Sequence, residues 1–259
     1  MPIKSNLPWA KLSIHFPTSG RIPANASKGK PLHNVSIRQH IVDRVLARRG
    51  KLHWFDRLNP ASTALVVIDM QETFCAPDSP AEVAGSREIG PAINVLTQKL
   101  RPLGVPVIWV LHANTHRNGR SDWELFFNHV VSDEVRLRTI ESLSPGRQKV
   151  WEGLEQGNND ITVVKNRYSA LITGSSTLER VLRNQGIDTL LIAGTKTNVC
   201  CEATARDAMM LDFRTVILSD CCAALSDEEH LATLETFIQQ FGDVMTADEA
   251  LAALEQHKV

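Results

Sequence analysis

Five short runs of almost wholly apolar, β-branched residues constrain this chain more than any other feature. They fall at 64–69, 105–111, 161–165, 189–194 and 214–219, each ending in a polar or glycine-bearing turn, with amphipathic stretches between them. A strand covered on one face alternates polar and apolar residues, whereas Ala64-Leu65-Val66-Val67-Ile68 is apolar throughout and needs cover on both faces. Such strands belong in a parallel sheet, whose neighbours are joined by helical crossovers.

Sustained over about 160 residues, this alternation predicts an α/β fold: a three-layer α/β/α sandwich with a mainly parallel, Rossmann-like sheet. Helix starts are written locally. Ser176-Thr177-Leu178-Glu179, Ser226-Asp227-Glu228-Glu229 and Thr246-Ala247-Asp248-Glu249 each fit a capping box, and Gly186 closes the first helix. No GxGxxG or Walker sequence follows a strand and no GxSxG elbow occurs, so nucleotide and serine-hydrolase chemistry have no local support. No apolar run reaches the roughly 18 residues of a membrane span, and no membrane partner is expected.

The first sixty residues differ from the rest. With 43% apolar and 22% charged residues the whole chain has a globular composition and a net charge of -1. Its first sixty residues nevertheless hold eleven Lys and Arg against Asp43 and Asp56, and the remainder carries the balancing -10. Residues 1–55 therefore read as a preceding unit: an irregular basic arm to about Pro31, then an amphipathic helix at about 36–49 bearing Ile37, Ile41, Val45 and Leu46. The α/β body takes 56–259. The arm is expected to lie over a more acidic neighbouring subunit, ahead of a transit peptide or a nucleic-acid contact, for which no aromatic interleaving is present.

The five cysteines, Cys75, Cys200, Cys201, Cys221 and Cys222, include two adjacent pairs and no CxxC. They suggest free thiols in a reducing compartment, with a cytoplasmic location expected and no structural metal.

Ligands of open parallel sheets bind beyond the carboxyl ends of the strands. There Asp69 ends the first run, Lys165 ends the third, and Cys200 follows the turn after the fourth. Taken singly these are a turn residue, a solvated lysine and a small hydrophobe. Together they make a set for covalent acyl chemistry, with thiol as nucleophile, carboxylate as base and ammonium as its counter-ion. The helix predicted from Thr204 to Met210 puts Cys200 near a helix N-terminus, which is expected to lower the thiol pKa and to offer N–H groups to an oxyanion.

Asp69-Met70-Gln71 with Phe74, Lys165 followed by Arg167-Tyr168-Ser169-Ala170, and Gly194-Thr195-Lys196-Thr197-Asn198-Val199-Cys200 resemble the three signature segments of the isochorismatase-like cysteine hydrolases, over about residues 60–250. The resemblance implies an Asp69-Lys165-Cys200 triad and a cis peptide joining Thr195 to Lys196. It also implies backbone N–H groups of Lys196 and Cys200 at the oxyanion. Members that split isochorismate typically have glycine at the cysteine position, so Cys200 favours amide chemistry.

The run Thr197 to Ala208 is similar to the N-carbamoylsarcosine and ureidoacrylate amidohydrolase branch, with Lys196 and Cys201 as departures. The implied partner is a small amide or ureide, with no cofactor and no metal, in a homo-oligomer (dimer or tetramer). Gln71, Phe74, His112, Trp123 and Tyr168 are the candidate substrate-binding residues. His112 and His116 would be metal ligands only if their segment were helical. A vinyl-ether hydrolase that does not need Cys200, or a non-catalytic scaffold, are the alternatives.

Overall fold

The computed structural model describes residues 32–118 and 120–256. The basic arm before Leu32 lies outside these residues. In chain order the strands are β1 (Thr63–Ile68), β2 (Val107–His112), β3 (His116–Arg117), β4 (Arg120–Ser121), β5 (Ile161–Lys165), β6 (Thr189–Thr195), β7 (Arg214–Ala223) and β8 (Asp243–Met245). The helices are α1 (Gln39–Arg49), α2 (Glu72–Cys75), α3 (Ser86–Leu100), α4 (Asp133–Ser142), α5 (Leu178–Asn184), α6 (Glu202–Met210), α7 (Asp227–Gln240) and α8 (Ala247–Glu255).

Six strands form one parallel sheet in the order β5-β2-β1-β6-β7-β8, and β3 and β4 make a small separate hairpin. The predicted three-layer sandwich is present. Ala64, Val66 and Ile68 of β1 pack towards α5, α6 and α7, while Leu65 and Val67 pack towards α3 and α8. Both faces of β1 are covered, which is why its sequence shows no alternation.

The strand order reverses at β1. The chain builds outward to β2 and β5, then returns to place β6 on the other side, leaving a crevice at the carboxyl ends of β1 and β6. Gly194 permits the close approach there: its φ is 115°, and a Cβ at that position would run into the Ile68 carbonyl oxygen.

Some boundaries depart from expectation. β2 begins at Val107, after Pro106, and extends to His112. β7 runs to Ala223, so Cys221 and Cys222 are buried strand residues. The three-residue β8 was too short to register as a run. Thr246 and Glu249 close a full capping box and Ser226 caps α7, but the box expected of Ser176 and Glu179 does not form, since Thr177 holds the N-cap position of α5. The Ser176 hydroxyl instead donates to the Ala170 carbonyl at 2.6 Å and accepts from the Leu178 N–H at 3.0 Å.

The apolar stripe of α1, which the sequence offered to a neighbouring subunit, is covered in part within the chain, with Leu46 left exposed. Ile41 and Val45 are buried in the same cluster as Leu234 and Ile238 of α7. Arg44 and Arg48 bond Gln239 and Gln240 of the same helix, and Arg38 forms a bidentate pair with Glu235. The positive charge of this segment is thus matched in part by its own chain. Among the described residues no helix is long and apolar enough to cross a membrane.

Candidate active site

Asp69, one residue past β1, has φ 55°, a left-handed conformation that aspartate tolerates better than most side chains. It is 1% exposed. Lys165 ends β5, where Val163 and Lys165 alternate inward and Thr162 and Val164 outward. That alternation, at an edge strand, carries a lysine into the core. Its three N–H donors are all used: Nζ lies 2.9 Å from Asp69 Oδ2, 3.0 Å from the Arg167 carbonyl and 3.2 Å from His112 Nδ1. A fully buried ammonium is tolerable because it is paired and fully hydrogen-bonded.

The protonation pattern around it can be deduced. Asn114 Nδ2 donates to Asp122 Oδ1 at 2.7 Å and to the Asn166 carbonyl at 3.2 Å, so its Oδ1 is the acceptor facing His112 Nε2 at 2.9 Å. His112 therefore carries its hydrogen on Nε2 and presents a bare Nδ1 to Lys165. Burial, with the adjacent Lys165 charge, holds the imidazole well below its usual pKa and keeps it neutral. Both ring nitrogens are committed in this way at the end of β2, so the His112 and His116 pair in a helix does not occur.

Cys200 sits in a wide π-type turn at 197–201 that leads into α6. The Thr195–Lys196 peptide before it is cis, as the resemblance implied. Cys200 is 6% exposed and lines the cavity, whereas the other four thiols are fully buried. Its thiol lies beside Asp69, whose Oδ1 has no hydrogen-bond partner among the described residues. The expected lowering of the thiol pKa is not found. Burial and then the Asp69 charge push it up, and these outweigh the lowering effect of Lys165. Burial likewise raises the Asp69 carboxyl, offset in part by Lys165. Lys165 is itself raised: the carboxylate overcomes the burial that opposes its charge.

Above these groups is a cavity of ≈ 490 Å³, a size that suits a small molecule. Phe74, His112, Trp123 and Tyr168, all candidates from sequence, line it. Trp123 stacks on His112 at 5.9 Å and meets Tyr168 edge-on at 4.6 Å. Gln71 does not line it. Its side chain accepts from the His112 N–H at 2.6 Å and donates to the His112 carbonyl at 3.1 Å, bracing the segment after β1 against β2.

Sequence reasoning missed Phe126, Phe127, Leu143 and Leu225 in the walls. It also missed the Asn114–Asp122 link behind His112; the one available signal was the polar cluster after β2. Lys196 lines the cavity.

A doubly wound parallel sheet whose carboxyl-edge cavity is floored by an acid and a thiol, with an ammonium behind the acid, is a framework for nucleophilic hydrolysis. Comparison with known proteins supplies the family: residues 63–249 match the isochorismatase domain, and the chain belongs to the isochorismatase family of hydrolases. A probable inactive nicotinamidase of Arabidopsis thaliana is 34% identical over 174 residues, covering 67% of this chain and 86% of that protein. The ureidoacrylate amidohydrolase RutB of Methylobacterium radiotolerans is 27% identical over 211 residues, covering 75% and 81%. A cysteine hydrolase from Pseudomonas syringae pv. phaseolicola 1448A has a solved structure with a TM-score of 0.66 and 28% identity, covering 79% of this chain and 97% of that one.

Proposed function

We propose that this chain is a cysteine-dependent amidohydrolase that cleaves a C–N bond of a small amide, carbamoyl or ureido compound through a covalent acyl-Cys200 intermediate. The observation that carries the reading is the cavity floor. The one thiol open to the cavity lies beside a carboxylate with a free oxygen, and a triply bonded lysine fixes that carboxylate from behind. The similarity to an amidohydrolase acting on ureidoacrylate supports the same reaction class.

The elevated thiol pKa shapes the mechanism. Cys200 rests protonated, and Asp69, itself made more basic by burial, takes the thiol proton as the sulfur attacks the substrate carbonyl carbon. The N–H groups of Lys196 and Cys200 receive the developing oxyanion. When the tetrahedral adduct collapses the C–N bond breaks, and Asp69 returns its proton to the departing nitrogen. Water, deprotonated by Asp69, then attacks the thioester or thiocarbamate; the acid leaves and the thiol is restored. Throughout, Lys165 stays charged and the neutral His112 orients it. Phe74, Trp123 and Tyr168 hold the substrate in an apolar setting where these charges act strongly.

The test is ammonia release from ureidoacrylate, N-carbamoyl amino acids, biuret and nicotinamide by the wild-type chain and by Cys200→Ala. Turnover of one compound that disappears in the variant, with the circular dichroism spectrum unchanged, is the expected result. Retained turnover in Cys200→Ala would remove the covalent mechanism.

A further inference from the structure

Residues 32–38 precede the matched domain, which begins at residue 63, yet they cross from the loop before α3, past the residue that follows β7, to α7. At one end Leu32 packs on Gly85, just before α3. At the other, Arg38 donates to Glu235 of α7 from its backbone N–H at 2.9 Å and from Nε at 2.8 Å.

Between these anchors lies His33, whose side chain is 6% exposed. Its Nε2 is 3.0 Å from the Ala224 backbone nitrogen. A backbone N–H only donates, so Nε2 is the acceptor, and the ring hydrogen on Nδ1 donates to Asp227 Oδ1 at 2.8 Å. The ring also stacks on His230, with centroids 4.1 Å apart and planes at 17°. His230 is fully buried, and its Nδ1 meets Thr197 Oγ1 at 2.9 Å.

Two routes thus lead from His33 to the turn that bears Cys200. The first passes through Ala224: the residue before it, Ala223, pairs with Thr195, and the residue after it, Leu225, lines the cavity. The second passes through His230 to Thr197, the first residue of the turn. The routes meet the chain on either side of Lys196, whose N–H serves the oxyanion in the reading above. A π-type turn is a rare element found mostly as a single turn at functional sites, so support from outside the turn bears directly on its position.

We propose that the strap at 32–38 braces the nucleophile turn, and that His33 is a positioning residue for Lys196 and Cys200 acting through Ala224 and the His230–Thr197 pair. The chemical consequence rests on the reading of Cys200 as nucleophile; the structural one does not.

Hydrogen–deuterium exchange of the full chain, resolved to the peptide covering 195–201, tests it. His33→Ala is expected to speed exchange there by about tenfold and to leave β1 unchanged. Thr197→Val, which leaves the strap and the Ala224 route intact, should give a smaller change of the same kind, and the double variant should exchange no faster than His33→Ala alone. Asp227→Asn loosens the ring from a half-exposed position and gives a smaller change of the same kind should His33→Ala fold poorly. On a substrate found by ammonia release, kcat falls by about tenfold to a hundredfold in His33→Ala while KM holds. Unchanged exchange at 195–201 in both His33→Ala and Asp227→Asn, or strictly additive effects with Thr197→Val, would overturn the proposal. Exchange reads the turn whether or not Cys200 is the nucleophile, so loss of the chemical reading and loss of this one are separate results.

Discussion

Replacing Lys165 with methionine keeps the length of the side chain and deletes its charge, leaving Asp69 buried without its counter-ion. Removing one partner of a buried pair costs about 3–5 kcal/mol, so Lys165→Met should unfold at clearly lower urea and lose turnover. An unshifted urea midpoint would refute the account of the pair. Gln71 makes the opposite kind of prediction. Because its amide braces the His112 backbone, Gln71→Ala should cost about 1–3 kcal/mol through an unsatisfied buried N–H, while KM on any cleaved substrate stays close to wild type. A large KM change with intact stability would return Gln71 to the substrate-binding role expected from sequence. Asp69, Lys165 and Cys200 were legible because each stands at or just after the end of an apolar run. Asn114 and Asp122 were not, because their role exists only where the segments after β2 and β5 meet.

At the scale of elements, the capping signals split in an instructive way. Thr246 and Glu249 form the reciprocal cap expected from their spacing, so Thr246→Ala should lower stability by about 1 kcal/mol, read from thermal or urea unfolding. No change would mean that packing of Leu251 and Leu254 alone holds α8. Ser176 has the same local pattern but is drawn to the Ala170 carbonyl, a partner that only the loop after β5 brings near. The five long strands were legible from their β-branched runs, with both ends matched at β5 and the others moved by at most four residues. β8 was not, since three residues offer too few positions to show a period.

For the whole molecule, pH dependence follows from where histidines are buried. Burial, with His33 adding to it, lowers His230 from 6.5 to about 4. Unfolded chains take up this proton below about 6.5 whereas the folded chain refuses it until about 4, so stability falls as pH drops through that window, by about 3 kcal/mol. His230→Gln should flatten this part of a stability–pH profile measured between pH 7 and pH 4; an unchanged slope would show that His230 does not control it. The sequence by itself determined the layered α/β architecture and pointed to Asp69, Lys165 and Cys200 as the candidate site, because apolar period and chain order are local properties that survive without neighbours. Only the tertiary structure decided that the Cys200 thiol is raised and not lowered, that Gln71 braces the sheet, and that α1 covers its own chain. Each of these depends on desolvation or on a partner more than forty residues away, and neither is written in the spacing of nearby residues.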